Sequence, residues 1–199
     1  MIDETVEEIK EMQTHSSSTV AVKAARALED LLDREFETVE EYVRSLERNS
    51  NVLRRANPSH ASLATTQRAI VRMVESADDE SVAAAKERTQ AAIDDVVEQV
   101  VTAKRRAADN AVSLFEDGTT FMTHDYSSTV LEAVEQAVAD GCYLEAYVLE
   151  ARPRYLGRKT ARVLGEMDQV DAHLVIDSAA GHFLPECDRV FTGMDCIVD

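Results

Sequence analysis

The chain has 199 residues, of which 45% are hydrophobic, so it is long and apolar enough for one large domain or two small ones. Its formal net charge of −17 argues against binding an exposed nucleic-acid backbone, which requires clusters of Lys and Arg. No apolar run approaches the roughly 20 residues that span a bilayer, and the acidic N-terminus lacks the basic and apolar regions of a signal peptide. We therefore expect a cytoplasmic protein that contacts neither membranes nor nucleic acid directly.

The basic residues and the cysteines give further indications of the compartment. Only 5 of the 21 basic residues are Lys, and such an acidic, Lys-poor surface suits a cytoplasm with very high salt, where self-repulsion is screened. An acidic protein from an ordinary cytoplasm is the alternative. The three cysteines, Cys142, Cys187 and Cys196, are odd in number and show no CxxC spacing. A disulfide framework or a zinc site is therefore not expected, and a reducing compartment fits.

The first part of the chain has the pattern of a helical domain. Apolar residues at helical spacing predict helices over residues 1–31, from about Glu35 to Arg48 and from about Ser59 to Glu75. The pattern breaks at Asn57-Pro58-Ser59, because Pro disfavours a helical conformation in the residue before it. The segment from Asp79 to about Phe115 has no Gly or Pro and a narrow apolar stripe, which predicts one long helix.

The composition changes at Asp117-Gly118, since all six Gly and two of the three Pro lie beyond residue 116. Short apolar runs follow at Thr119–Met122, Leu144–Leu149, Ala172–Ile176 and Val190–Phe191. Helical stretches lie between them, and one of these begins with a predicted capping box at Thr129-Val130-Leu131-Glu132 and ends with Gly141 as its C-terminal cap. Strands that alternate with helices predict βαβ units and a parallel sheet.

The sequence thus predicts an α/β fold in two domains. Residues 1–116 form a helical N-terminal domain, and residues 117–199 form a Rossmann-like α/β domain with a mainly parallel sheet. The last residues, Cys196-Ile197-Val198-Asp199, have the pattern of a strand in the middle of a fold. We therefore expect the sheet to be truncated at its C-terminus.

Polar residues follow the predicted strands, and ligands of open parallel sheets bind beyond the carboxyl ends of the strands. Backbone N–H groups at a helix start near Ser127 would favour an anion such as a sugar phosphate or a nucleotide. Arg152 could pair with a phosphate or with Glu150. The candidate ligand-binding residues are His124, Ser127, Ser128, Arg152, Asp177 and Ser178.

These residues also have structural interpretations. Ser127 and Ser128 are of the type that caps a helix, Asp177-Ser178 can form a turn, and His124 can be a hydrogen-bonded structural histidine. The chain contains no GxGxxG, no GxxxxGK[ST], no HExxH and no GxSxG pattern. Neither a cofactor nor a metal is therefore expected.

Taken in chain order, the polar clusters resemble the signature of the regulatory alpha, beta and delta subunits of translation initiation factor 2B, in an archaeal-like form. The motifs are Thr123-His124-Asp125-Tyr126-Ser127-Ser128, Glu150-Ala151-Arg152-Pro153 with Gly157-Arg158, Asp177-Ser178-Ala179-Ala180 and Gly193-Met194-Asp195. The resemblance extends to Ser17-Ser18-Thr19-Val20-Ala21 and to Asn57–Leu63. It implies a helical domain followed by a Rossmann-like domain. That family includes non-enzymatic regulators of translation initiation and isomerases of ribose 1,5-bisphosphate or methylthioribose 1-phosphate.

Departures from the isomerase pattern suggest a non-catalytic protein. Asp125 stands where the isomerases carry a Cys, although Asp195 matches their Asp. His15 and Asn57 stand near the places of two phosphate-facing Arg, and a later segment that contributes an Asn-Gly and a Lys would follow Asp199. We therefore predict a regulatory or scaffolding subunit in translation initiation. The alternative is a sugar-phosphate isomerase of nucleotide salvage, with Asp195 and Asp125 as catalytic residues, and a third hypothesis is a truncated, nonfunctional product.

The resemblance also implies protein partners. We expect self-association through the α/β half, because an apolar sheet edge is a template for pairing and the resembling family dimerises through this domain. Initiation factor 2 is a second candidate partner. The alternative is a monomer whose edge is blunted by flanking acidic residues.

Overall fold

The computed structural model describes residues 2–11, 16–58, 60–77 and 79–194 of the protein. These form two compact units, one that ends at Thr102 and one that comprises Ala103–Met194. The predictions that concern His15, Asp195 and the strand at Cys196–Asp199 lie outside the described residues.

The first unit is helical, as predicted. Its elements are α1 (Ile2–Glu11), α2 (Ser17–Arg26), a 3-10 turn (Ala27–Leu31), α3 (Val39–Ala56), α4 (Ala61–Glu75) and α5 (Val82–Val112), which continues into the second unit. Ser16 caps α2 by accepting a hydrogen bond from Thr19 N at 3.4 Å, and Thr38 caps α3 by accepting one from Glu41 N at 3.1 Å. The predicted long Gly- and Pro-free helix is confirmed by α5.

The core of the first unit is largely aliphatic and contains a buried pair of hydroxyl groups. Leu28, Leu46 and Ile70 are fully buried in one continuous cluster. Within that core the hydroxyl of Tyr42 donates a hydrogen bond to Thr89 Oγ1 at 2.7 Å, and Thr89 donates in turn to the carbonyl of Ala85 at 2.8 Å. These two hydrogen bonds satisfy both buried hydroxyl groups, whose removal from water would otherwise be costly.

The second unit is an α/β layer structure. After the end of α5 it contains β1 (Thr120–His124), α6 (Ser128–Ala139), β2 (Leu144–Leu149), α7 (Gly157–Gly165), β3 (Val170–Val175), the short helix α8 (Ala180–Phe183) between two 3-10 turns (Asp177–Ala179 and Leu184–Glu186), and β4 (Arg189–Thr192). The four strands form one all-parallel sheet in the order β3-β2-β1-β4. The predicted α/β class is therefore confirmed. The order is that of the first four strands of doubly wound sheets, and the Rossmann-like description stays a prediction.

The two faces of the sheet are covered differently. On one face, Phe121 and Val148 pack with residues of α6, α7 and the end of α5. Phe115 lies edge-on to Phe121, with ring centroids 5.3 Å apart, in the same cluster. On the other face Met122, Tyr147 and Leu149 form a smaller cluster with α8, in which the rings of Tyr147 and Phe183 stack at 4.9 Å. Because β2 is central and buried on both faces, it is almost continuously apolar, as expected for a parallel strand.

Helix α6 ends in a Schellman motif. Gly141 N donates to Val138 O at 2.9 Å and Cys142 N donates to Ala137 O at 3.1 Å. Gly141 has φ of 96°, a left-handed conformation that is free of steric cost only for glycine. The predicted role of Gly141 as a C-terminal cap is therefore confirmed.

The predicted division into residues 1–116 and 117–199 stays a prediction. In its favour, the described residues between Asp79 and Val112 contain no strand. None of the described helices is both long enough and apolar enough to cross a membrane.

Gly157 and Gly165, at the two ends of α7, make a matched pair for testing how tightly the second unit is packed. A Cβ at Gly157 would lie 1.9 Å from the carbonyl oxygen of Leu149, whereas a Cβ at Gly165 would meet nothing within 4 Å. We expect Gly157→Ala to lower the free energy of unfolding by about 3 kcal/mol or more, because backbone must move to relieve the overlap. Gly165→Ala should leave it unchanged or raise it by up to about 1 kcal/mol. Urea denaturation measures both, and equal effects of the two changes would contradict the close approach of α7 to β2.

Candidate functional site

The carboxyl ends of all four strands meet at one edge of the sheet, as parallel strands require. The loop after β2 is tied to the end of β3, since Glu150 N donates to Val175 O at 2.9 Å. The segment after β4 lies against the segment after β1, because a Cβ on Gly193 would come within 2.6 Å of both Cβ and Oγ of Ser127. Side chains from four separate stretches of sequence are therefore held together, in the place where open α/β sheets bind ligands.

Ser127 is the N-cap of α6. Its hydroxyl accepts a hydrogen bond from Val130 N at 3.3 Å, and its backbone is extended, as that position requires. The cap therefore lies two residues before the predicted capping box at Thr129. Ser128 is the first residue of the helix. The structural interpretation of Ser127 is confirmed, and ligand contacts of Ser127 and Ser128 stay a prediction.

Asp177 positions the loop that follows β2. Its Oδ1 accepts a hydrogen bond from Ala151 N and its Oδ2 accepts one from Arg152 N, both at 2.8 Å. These two backbone donors, more than the nearby charges of His124 and Arg152, hold the pKa of the Asp177 carboxyl below its usual value. Ala151 has φ of 60°, which is uncommon for a residue with a side chain. Asp177 thus stabilises an unfavourable turn, and its predicted ligand contact stays a prediction.

Glu150 is a buried carboxylate shared by two arginines. Its side chain is only 5% exposed, and it accepts hydrogen bonds from Arg152 Nε at 2.5 Å and from Arg158 Nη2 at 3.3 Å. The hydrogen bond from Arg152 is the main cause that lowers the pKa of Glu150, and Arg158 adds to it. A buried carboxylate is costly unless it is paired, so Glu150 fixes both guanidinium groups at the surface of the loop. The sequence predicted that Arg152 pairs with a phosphate or with Glu150, and the structure shows the pairing with Glu150.

Asp125, directly after β1, has an unusual arrangement. Its φ is 66°, and its backbone carbonyl accepts a hydrogen bond from the hydroxyl of Thr160 at 2.7 Å. One carboxylate oxygen, Oδ2, lies 3.9 Å from Arg154 Nη2. The other, Oδ1, is buried and has no hydrogen-bond partner. A non-glycine residue in a left-handed conformation with a buried, unsatisfied carboxylate oxygen is typical of a functional position.

The remaining predicted residues lie at the same edge. His124 is the exposed last residue of β1, and Ser178 is exposed in the turn after β3. Asp195 lies outside the described residues. Within the described part of the chain, no group of three His, Cys, Asp or Glu side chains is arranged to hold a metal ion. Sequence reasoning did not single out Arg154 or Thr160, because neither their contacts nor the turn at Asp125 follow from a local pattern.

The sequence model of the initiation factor 2 subunit family matches residues 13–199. The chain belongs to this family. Solved structures of similar fold include translation initiation factor eIF-2B of Pyrococcus horikoshii OT3, with a TM-score of 0.83, 24% identity and coverage of 98% of this chain and 66% of that one. Another is 5-methylthioribose 1-phosphate isomerase from the same organism, with a TM-score of 0.80 and 20% identity. The match covers 98% of this chain and 58% of that one. Both show the fold alone.

Curated members of the family show closer sequence similarity. Ribose 1,5-bisphosphate isomerase of Haloterrigena turkmenica is 32% identical over 97% of this chain and 58% of its own length. The protein of the same name from Haloferax volcanii is 32% identical over 97% of this chain and 59% of its own length. The one from Methanocaldococcus jannaschii is 27% identical over 99% of this chain and 62% of its own length. The chain therefore spans about three-fifths of the length of these relatives.

The prediction of a non-catalytic regulatory or scaffolding subunit is wrong. The three curated relatives named above match nearly the whole chain, and each carries the name of the isomerase. The expectation against an enzyme, which was based on a missing thiol, two missing arginines and a missing closing segment together, is likewise not supported. These similarities favour the alternative interpretation, a sugar-phosphate isomerase.

We expect Asp177 to make folding sensitive to acid. Its pKa is lowered in the folded state, so its contribution to stability is fully present above its unfolded pKa of about 3.9 and is lost as the pH falls through the folded value. In Asp177→Asn the side-chain NH₂ would face a backbone N–H, so one of the two hydrogen bonds is lost. The amide also does not titrate, so the acid-dependent part of the stability is removed. We therefore expect a lower Tm than wild type at pH 7 and a smaller further loss between about pH 5 and pH 3.

Thermal unfolding followed by circular dichroism at several pH values tests this expectation. The matched control is Asp168→Asn, an exposed carboxyl in the turn before β3. It should behave as wild type, and an unchanged acid profile in Asp177→Asn would contradict the positioning role.

Proposed function

We propose that this chain is an aldose–ketose isomerase that acts on a phosphorylated ribose of the ribose 1,5-bisphosphate type. The proposal is supported by the position of Asp125, a carboxylate in a left-handed turn at the carboxyl edge of the sheet with one buried, unpartnered oxygen. The names of the curated relatives give the substrate class.

The reaction rearranges hydrogen without a net change in composition. The bond between C1 and the ring oxygen O4 breaks, the hydrogen on C2 moves to C1, and C2 becomes a carbonyl. The C2 hydroxyl gives up its proton and O4 takes one up. A group that accepts a proton at one oxygen and delivers one at another lowers this barrier, typically by a factor of about 10²–10⁴ in rate.

Asp125 fits the role of that group. Its Oδ1 is buried, but the Asp125 side chain is 36% exposed, so the other oxygen, Oδ2, would accept a hydrogen bond from a substrate hydroxyl. The Thr160 hydroxyl holds the backbone of Asp125, so the carboxylate does not have to be ordered when substrate binds. In the resembling isomerases a Cys stands at this position, and here a carboxylate would carry the proton. Asp195, predicted as the second catalytic carboxylate, stays a prediction.

The cellular compartment and the division into domains are also part of our proposal. We place the protein in a reducing cytoplasm on the basis of its cysteine usage. A helical domain of residues 1–116 would precede a Rossmann-like domain of residues 117–199.

We further propose that the chain associates with a second copy through its sheet edge. Among the described residues, β4 pairs only with β1, so its other edge is open to another strand. Val190 on this strand is 54% exposed and Met194 after it is 69% exposed. Exposed apolar side chains beside an unpaired strand edge are typical of an interface.

Isomerase activity can be measured directly. Purified chain incubated with ribose 1,5-bisphosphate should generate the 2-ketose bisphosphate, which ¹³C NMR detects through its new carbonyl carbon. We expect Asp125→Asn to reduce kcat by roughly 100-fold or more, since the amide cannot transfer a proton. Asn tolerates the left-handed backbone of this position, so the fold should be retained.

Asp140→Asn is the control for this experiment. Asp140 is an exposed carboxyl at the end of α6, remote in sequence from the strand ends. It should retain wild-type turnover. Absence of ketose formation by the wild-type chain, or equal turnover by Asp125→Asn and wild type, would overturn the proposed function.

Self-association should increase with salt. The charge of −17 opposes contact between two copies, and at a few molar salt the screening length falls to about 3 Å or less. We expect light scattering to show a dimer mass in high salt and a smaller mass in low salt. Val190→Asp should shift the equilibrium to monomer, whereas Val101→Asp, at an exposed position of α5, should not. A monomer mass at every salt concentration would contradict the proposal.

A further inference from the structure

We propose that the loop after β2 holds a phosphate group of the substrate through the guanidinium groups of Arg154 and Arg158. This subsite rests on the proposed isomerase function and adds to it the residues that would recognise a phosphate ester. Arg152, one of the candidate residues of the sequence analysis, lies in the same loop.

The arginines of this loop differ in how closely Glu150 holds them. Arg152 directs its Nε at the buried carboxylate of Glu150. Arg158 reaches the same carboxylate with a single, longer contact of 3.3 Å from one Nη. Arg154 makes no hydrogen bond among the described residues, and its distance of 3.9 Å from Asp125 is too long for one. A guanidinium carries five donors, so among the described residues Arg154 retains all of its own, and Arg158 is held less closely than Arg152.

The loop is already ordered in a shape that presents these groups. Asp177 holds its first residues through two backbone hydrogen bonds, and Tyr155 N donates to Ala151 O at 2.8 Å to close the turn. The guanidinium carbon of Arg158 lies 4.2 Å from the ring centroid of Tyr155, and that of Arg152 lies 5.6 Å from it. An ordered loop loses less conformational entropy when it binds an anion.

Local charge favours an anion here, although the chain as a whole repels anions. Residues 150–159 contain four basic residues and one acidic residue, in a protein with a net charge of −17. One of the four, Lys159, lies 3.8 Å from the ring centroid of Tyr126, in the loop after β1. The cluster therefore joins the loops after two neighbouring strands.

The position of Arg154 relates the subsite to the reacting carbons. Because Arg154 faces Asp125 and is 53% exposed, a phosphate bound to it would lie beside the candidate acid–base group and remain open to solvent. A guanidinium matches a phosphate through two parallel N–H···O bonds, which fix orientation as well as supply affinity. The alternative role, in which Arg154 only neutralises Asp125, predicts no effect on phosphate affinity.

Two measurements test the subsite. Steady-state kinetics on ribose 1,5-bisphosphate should show a KM about 10- to 100-fold higher in Arg154→Gln, with a smaller change in kcat, because a charge-assisted pair is lost. Arg154→Lys should recover only part of the loss, since an ammonium lacks the fork. Calorimetry with inorganic phosphate, at one fixed low salt concentration, should show the same order of affinities without any turnover.

Arg162→Gln is the matched control, because Arg162 is an exposed arginine in the last turn of α7. It should leave both KM and phosphate affinity unchanged. If Arg154→Gln and Arg158→Gln also leave both unchanged, the subsite is refuted even where the wild type turns over substrate. If the wild type shows no turnover but binds phosphate, and Arg154→Gln abolishes that binding, the proposed function falls and the subsite stands.

Discussion

The hydrogen bonds from the backbone of Ala151 and Arg152 to the carboxylate of Asp177 fix the path of the chain where it leaves β2 at the carboxyl edge of the sheet. Without them the left-handed turn at Ala151 would have to be maintained against its own steric cost. With them, the chain leaves β2 in a fixed direction, and Glu150, Arg152 and the residues that follow take defined places. The link joins the segments that follow two neighbouring strands, β2 and β3.

A second constraint is the buried Glu150. A carboxylate that is 5% exposed requires cations, and it receives them from Arg152 and Arg158 on the same loop. The consequence is a concentration of positive charge on one short stretch of an otherwise acidic chain. In a cytoplasm with high salt, the anion binding that we propose would depend on these nearby charges, since charges beyond one screening length have little influence. The negative remainder of the surface would then hinder nonspecific binding of other anions.

Much of the fold follows from the sequence because its signals are local and strong. The predicted limits of β2, Leu144–Leu149, are those observed, since a strand buried on both faces is a continuous apolar run. The edge strand β3 begins at Val170, two residues before its predicted start, because the polar Asp171 interrupts its apolar pattern. The N-cap of α6 was misplaced because Ser127, Ser128 and Thr129 are all suitable caps by residue type, and only the structure shows that Ser127 accepts the hydrogen bond from Val130 N.

The site and the function were harder to predict from the sequence. The role of Asp177 depends on a loop 25 residues away in the chain. The orphaned oxygen of Asp125 is a property of packing that no motif records. The function was misjudged because single substitutions in short motifs were given more weight than similarity along the whole chain. A carboxylate in place of a thiol changes which atom moves the proton, and it leaves the acid–base requirement unchanged.

The contacts between cations and tyrosines in these loops also have an optical consequence. The protein contains no Trp and five Tyr, so its near-ultraviolet emission comes from tyrosine alone. Two of the five, Tyr155 beneath Arg158 and Tyr126 beneath Lys159, lie in the loops at the candidate site. Any anion that draws a cation away from either ring alters the electric field at the phenol. The unmodified protein therefore contains its own fluorescent reporter of events at the carboxyl edge of the sheet, with no tryptophan signal to obscure it.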